Sequence, residues 1–180
     1  PGSWRSTWFA GQAGGSYAFR LRARDLNNQL EAWPADDAPE TSATLPSSCE
    51  PDDFEPNDVI TQTHTLPLDT WKMGNLCGAG DPDWFQFEIE EMGDYYVTAL
   101  SHSGGAAVDI SVYAGDGETI LASGQADGLG QGTIVRIPAA PAGSYYIKVE
   151  PMTAELMGTE AVYAITVSEA KEVFLVLVMR

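Results

Sequence analysis

The chain has 180 residues, 44% of them hydrophobic and 19% charged, a balance that excludes an intrinsically disordered chain. Its net charge of -17 is concentrated after residue 48, where five bases face 21 of the 26 acids. An acidic body of this kind repels nucleic acid and anionic lipid surfaces, and no apolar run is long enough for a transmembrane helix. The 18 glycines and 11 prolines are scattered between short apolar runs, which points to an all-β chain with many loops.

Residues 1–34 read as short strands. Trp8-Phe9 leads to the turn Gly14-Gly15. Tyr17, Phe19, Leu21 and Ala23 then alternate with Ala18, Arg20, Arg22 and Arg24, which predicts a half-buried strand with one apolar and one basic face. Asp25 to Gln29 reads as a turn, followed by Leu30, Ala32 and Trp33. The run Tyr17 to Asp25, with Glu31-Ala32-Trp33-Pro34, resembles the closing strands of bacterial fibronectin type III-like domains. Residues 35–48 are rich in Pro, Ala, Ser, Thr and Asp, and read as a linker or the tail of a last strand. The opening Pro1-Gly2-Ser3 carries no secretory leader, which is expected of a chain processed or cut from something longer.

Residues 49–169 form the main unit. Strands are predicted at Trp84–Glu90, Tyr95–Leu100, Val108–Tyr113, Thr119–Ser123, Thr133–Ile137, Ser144–Val149 and Ala161–Val167. Turn signals separate them at Met92-Gly93-Asp94, Gly115-Asp116-Gly117, Asp127-Gly128 and Pro141-Ala142-Gly143. Such spacing implies an antiparallel β-sandwich. A short turn of helix is expected after Asn57-Asp58. Residues 170–180 end in seven consecutive apolar residues, Val173 to Met179, which fit a strand buried on both faces.

The densest chemical signal is Asp52-Asp53-Phe54-Glu55-Pro56-Asn57-Asp58, followed by the acidic turn Asp81-Pro82-Asp83 before an apolar strand. Calcium takes six to eight hard oxygen ligands, from carboxylates and from carbonyls. Crowding this many carboxylates costs energy unless a cation neutralises them. The spacing is not that of an EF-hand. It leaves both a calcium loop and an acidic loop capping a strand end open.

Residues 49–169 resemble the bacterial pre-peptidase C-terminal domain, which is related to the collagen-binding domain of clostridial collagenases. The resemblance is carried by Asp53-Phe54-Glu55-Pro56-Asn57-Asp58, by Gly74-Asn75-Leu76 with Asp81-Pro82-Asp83-Trp84-Phe85-Gln86-Phe87, by Asp109 to Tyr113, and by the closing runs Ala142 to Val149 and Tyr163 to Val167. It implies a jelly-roll-like β-sandwich, preceded here by the partial fibronectin-like segment. It also implies a secreted or cell-surface setting and a Ca2+ site built from Asp53, Glu55, Asn57, Asp58 and Asp83. Asp81 is displaced by one residue from the acid that the relatives carry. In that extracellular context Cys49 and Cys77, which flank the two acidic segments, are expected to form a disulfide.

No catalytic constellation is expected. His64 and His102 lie between Ser and Thr residues and in no zinc motif, and the Gly124–Gly130 stretch lacks the lysine and helix of a phosphate loop. The expected function is therefore a non-enzymatic accessory or binding module. Its expected partner is a polymer, either a polysaccharide or a collagen-like protein, held on outward tyrosines. The alternative is a structural subunit of an extracellular fibre, in which copies of the chain exchange the Val173–Met179 strand.

Overall fold

A computed structural model describes residues 14–33, 39–44, 51–77, 81–102, 106–152 and 162–170. Among these described residues eleven strands form three sheets. The first is a two-stranded ribbon of β1 (Ser16–Phe19) and β2 (Thr41–Thr44), antiparallel, with Tyr17 opposite Ala43. The segment 35–48, read as a linker or the tail of a last strand, contributes the strand β2. The strand expected through Arg24 is shorter, regular only to Phe19, after which Arg24 meets Leu30 in an isolated bridge. Leu21 is 74% exposed, because among the described residues the two-stranded ribbon has no second layer in which to bury a face.

The remaining strands build the sandwich. They are β3 (His64–Thr65), β4 (Lys72–Asn75), β5 (Asp83–Ile89), β6 (Gly93–Ser101), β7 (Val108–Tyr113), β8 (Ile120–Gly124), β9 (Thr133–Ala140), β10 (Gly143–Pro151) and β11 (Val162–Glu169). One sheet has the order β3-β5-β10-β7-β8 and the other β4-β11-β6-β9. The chain changes sheet at most of its connections. Every pairing is antiparallel except that of β3 with β5, where His64 aligns with Phe85 and Thr65 with Gln86. A fully antiparallel sandwich was expected. The two-residue strand β3 was missed because it is too short to show alternation, and β4 because its sequence Lys-Met-Gly-Asn has no period-2 pattern.

The alternation read in the sequence is the alternation of the core. From one sheet Phe85, Phe87, Ile110, Val112, Tyr145, Ile147 and Val149 point inward, and from the other Val97, Ala99, Val135, Tyr163, Ile165 and Val167 meet them in one continuous cluster. Each large side chain buried this way contributes roughly 1.5–3 kcal/mol of transfer free energy. Of the adjacent tyrosine pairs, Tyr95 and Tyr145 are buried while Tyr96 and Tyr146 lie on the outer faces, as the pleat requires. A single 3-10 turn at Ile60–Gln62 supplies the short helical turn expected after Asn57-Asp58. Residues 171–180, with their apolar run, and Cys49 lie outside the described residues.

Candidate metal centre

Two loops converge at the end of the sandwich where β5 begins. One side-chain and one backbone hydrogen bond hold the first loop, residues 51–59, against the two sheets. The Asp52 carboxylate accepts from the Phe54 N–H at 2.8 Å and, through its other oxygen, from the Asn75 N–H at 2.7 Å. It therefore ties the loop to the end of β4. The Asn57 carbonyl accepts from the Trp84 N–H at 2.9 Å, which ties the same loop to β5. The Asn57 N–H in turn donates to Glu55 Oε2 at 3.2 Å, so Glu55 is oriented by its own loop. A cis peptide joins Glu55 to Pro56. In the second loop the Cys77 N–H donates to the Asp81 carboxylate.

The result is a group of three carboxylates, Glu55, Asp81 and Asp83, each offering an oxygen within 4.8 Å of the others. Among the described residues it is the one group of three or more potential metal ligands. Asp83 is the deepest, with no exposed surface. Its Oδ2 accepts a hydrogen bond from the hydroxyl of Tyr163, itself fully buried on β11, and its Oδ1 has no partner. Asn57 is also completely buried, and neither its Oδ1 nor its Nδ2 has a partner. A buried polar atom without a partner costs roughly 1–3 kcal/mol, so two acceptor oxygens left open beside a carboxylate group need an explanation. Gly74 is what admits Tyr163: a Cβ at that position would stand 2.5 Å from the Tyr163 hydroxyl oxygen and 2.6 Å from Cζ.

The electrostatics carry the same message. Burial pushes the Asp83 carboxyl up to about 8; the Tyr163 hydrogen bond opposes this, and the charges of Asp52, Asp81 and Glu55 add to it. Asp81 is pushed up to about 6, first by burial and then by a hydrogen bond shared with Asp58. Burial also raises Glu55, and Asp58 and Asp52 reinforce the rise. Burial, followed by the neighbouring Asp83, drives the Tyr163 hydroxyl well above its usual range. Without a counter-ion Asp83 holds its proton near neutrality, and a divalent cation is what would let it ionise beside Asp81 and Glu55. The donors are all oxygen, which suits a hard cation and not a thiolate- or imidazole-seeking metal.

Of the six residues expected at the site, the fold brings Glu55, Asp81 and Asp83 into one group, and Asp58 shares a hydrogen bond with Asp81. Asn57 lies within the same loop, buried and open-handed. Asp53 is exposed and is not a member of the group. Sequence reasoning missed Tyr163, 80 residues from Asp83, and the anchoring role of Asp52 on Asn75. The alternation of β11 marks Tyr163 as a core residue, but nothing in it names a carboxylate partner. The histidines are both exposed: His64 packs edge-on to Phe54 at 5.6 Å, and the His102 N–H donates to the Val162 carbonyl.

No family model matches the chain, and no curated protein matches it. Among solved structures it is similar to the pre-peptidase C-terminal domain of a collagenase from Bacillus anthracis, at 20% identity and a TM-score of 0.48, over 58% of this chain and 93% of that one. That is the domain type its sequence resembles. It is also similar to CorA, a surface-associated copper-binding protein of Methylomicrobium album BG8, at 9% identity and a TM-score of 0.48, over 60% of this chain and 98% of that one. A third is PliG of Aeromonas hydrophila, a periplasmic inhibitor of g-type lysozyme, at 15% identity and a TM-score of 0.36, over 58% and 96%. At these scores the chemistry of the site rests on its own geometry.

Proposed function

We propose that this chain is a non-catalytic accessory module that works outside the cell and is stabilised by calcium held between Glu55, Asn57, Asp58, Asp81 and Asp83. The observation that carries the reading is the pair of buried, unpartnered side-chain oxygens, Asp83 Oδ1 and Asn57 Oδ1, in a carboxylate group whose pKa values burial has raised. Bound there, a calcium ion supplies charge neutralisation and fixed geometry, and no reaction step. The chain's own residues do the positioning: Asp52 clamps the loop to β4, the Asn57 backbone clamps it to β5, and Tyr163 turns Asp83 so that one oxygen stays open. Millimolar calcium outside the cell is enough for a site of moderate affinity.

The same reading includes a Cys49–Cys77 bridge. Its support is that no cysteine among the described residues is free. Closing that loop adds about 3 kcal/mol by restricting the unfolded chain. It also includes a domain limit near residue 49, with the β1–β2 ribbon belonging to a preceding fibronectin-like unit. Peptide mapping without reductant tests the bridge. Limited proteolysis with cleavage confined to residues 45–50 tests the boundary.

The deciding experiment for calcium is thermal unfolding in EDTA, then with calcium or magnesium added in excess. The expected result is a melting temperature that calcium raises and magnesium raises little, because magnesium demands an octahedron that this irregular loop does not offer. An unchanged melting temperature across all three conditions refutes the reading.

A further inference from the structure

The outer faces of the two sheets differ in chemistry. The four-stranded sheet exposes aliphatic side chains there: Met73, Leu100 and Ile134 are 41%, 44% and 64% exposed. The central strands of the five-stranded sheet, β5, β10 and β7, expose none; on its edge strand β8, Ile120 stands opposite Tyr113 and is 57% exposed. Their outward positions carry three aromatic rings, Trp84, Tyr146 and Tyr113, and otherwise only polar or charged residues, Gln86, Ser111 and Lys148 among them.

The register brings the rings together. Tyr146 stands directly opposite Tyr113 on one side and Gln86 on the other, while Lys148 stands opposite Trp84 and Ser111. Trp84 reaches across β10, and its ring lies 5.1 Å from that of Tyr113, tilted by 38°. Lys148 sits with its ammonium 5.8 Å from the Trp84 ring centroid and pairs with Glu150 at 2.7 Å. All three rings are partly exposed. From β5 to β7 the platform spans two strand spacings, about 10 Å.

We infer that this face binds a neutral polysaccharide. Sugar rings present flat C–H faces that stack on aromatic side chains, and hydroxyls that pair with amide, hydroxyl and ammonium groups; the platform interleaves those two kinds of surface. The competing occupants fit less well. A protein docking patch draws on aliphatic side chains at its core, and these strands have none on this side. A polyanion is repelled by the chain's charge of -17 and by Glu150 beside the platform's lysine. The inference rests on the non-catalytic module reading and names what such a module holds; it does not depend on the cation.

The test is retention of the intact chain on insoluble cellulose, chitin and xylan, with alginate and gelatin as polyanionic and protein controls. Each is run in calcium and in EDTA, below the melting temperature of the metal-free form. The expected result is saturable retention on at least one neutral glycan that weakens at least tenfold in Tyr146→Ala and in Trp84→Ala, with little retention on alginate or gelatin. Tyr146 lies on β10, outside the carboxylate loops and their hydrogen bonds, so that variant reports on the platform even where Trp84→Ala disturbs β5. The variants' melting temperatures establish that they fold. Retention on none of the three glycans, retention unchanged in folded Tyr146→Ala, or stronger retention on gelatin overturns the inference. A chain that ignores calcium yet loses glycan retention in Tyr146→Ala sinks the calcium reading alone.

Discussion

Replacing Asp83 by Asn separates a buried acid that serves only the fold from one kept for a cation. The carboxyl is fully buried, and its pKa is about 8 against 3.8 in a free chain. At pH 7 the metal-free native state must therefore either protonate this group or carry a buried charge. Protonation costs about 3 pH units at 1.36 kcal/mol per unit, an upper bound of about 4 kcal/mol. Asparagine has nearly the same shape, still accepts from the Tyr163 hydroxyl, and escapes that cost. In EDTA, Asp83→Asn is expected to be more stable than the parent chain by about 2–4 kcal/mol, a rise of roughly 5–15 °C in melting temperature. Calcium at a hundredfold over its dissociation constant adds about 2.7 kcal/mol to the parent and nothing to the variant. The gap seen in EDTA should therefore narrow or reverse in calcium. Thermal unfolding by circular dichroism, with and without calcium, reads all four values. A variant less stable than the parent in EDTA, or one that keeps its calcium response, refutes the reasoning.

The pH dependence of the metal-free chain follows with its sign fixed. Asp83 and Asp81 hold protons in the folded state at pH values where the unfolded chain has lost them, so stability falls as pH rises from about 4 towards 8. Urea unfolding in EDTA at successive pH values checks this, and calcium should flatten the slope. Tyr163→Phe removes the hydrogen bond to Asp83 and keeps the ring; isothermal titration should show calcium affinity reduced about tenfold with a folded chain. Asp58→Ala should weaken calcium binding, while Asp53→Ala, at an exposed position outside the carboxylate group, should leave it within about twofold. In the core, Phe85→Ala should cost about 3–5 kcal/mol in urea unfolding, with calcium present throughout.

The parts of this fold that were legible are those in which side chains alternate between water and a core. β5, β7, β10 and β11 announce themselves through Phe85-Phe87-Ile89, Val108-Ile110-Val112, Tyr145-Ile147-Val149 and Tyr163-Ile165-Val167. β4 did not, because Gly74 is there to make room for Tyr163, a long-range demand that leaves no periodic trace. The acidic loops were legible as chemistry, since so many carboxylates in so few residues invite a counter-ion. Which carboxylates converge was not, because β5 and the 51–59 loop are joined through backbone contacts that sequence spacing does not encode. Asp53 neighbours Glu55 in the chain but is exposed and lies outside the carboxylate group.

The deepest carboxylate of the group and the hydroxyl that orients it are 80 residues apart, on β5 and on β11. A chain emerging from the ribosome or through an export pore has released nearly all of this domain before Tyr163 can reach Asp83. A cation held as proposed above would therefore meet an oriented Asp83 only late in folding.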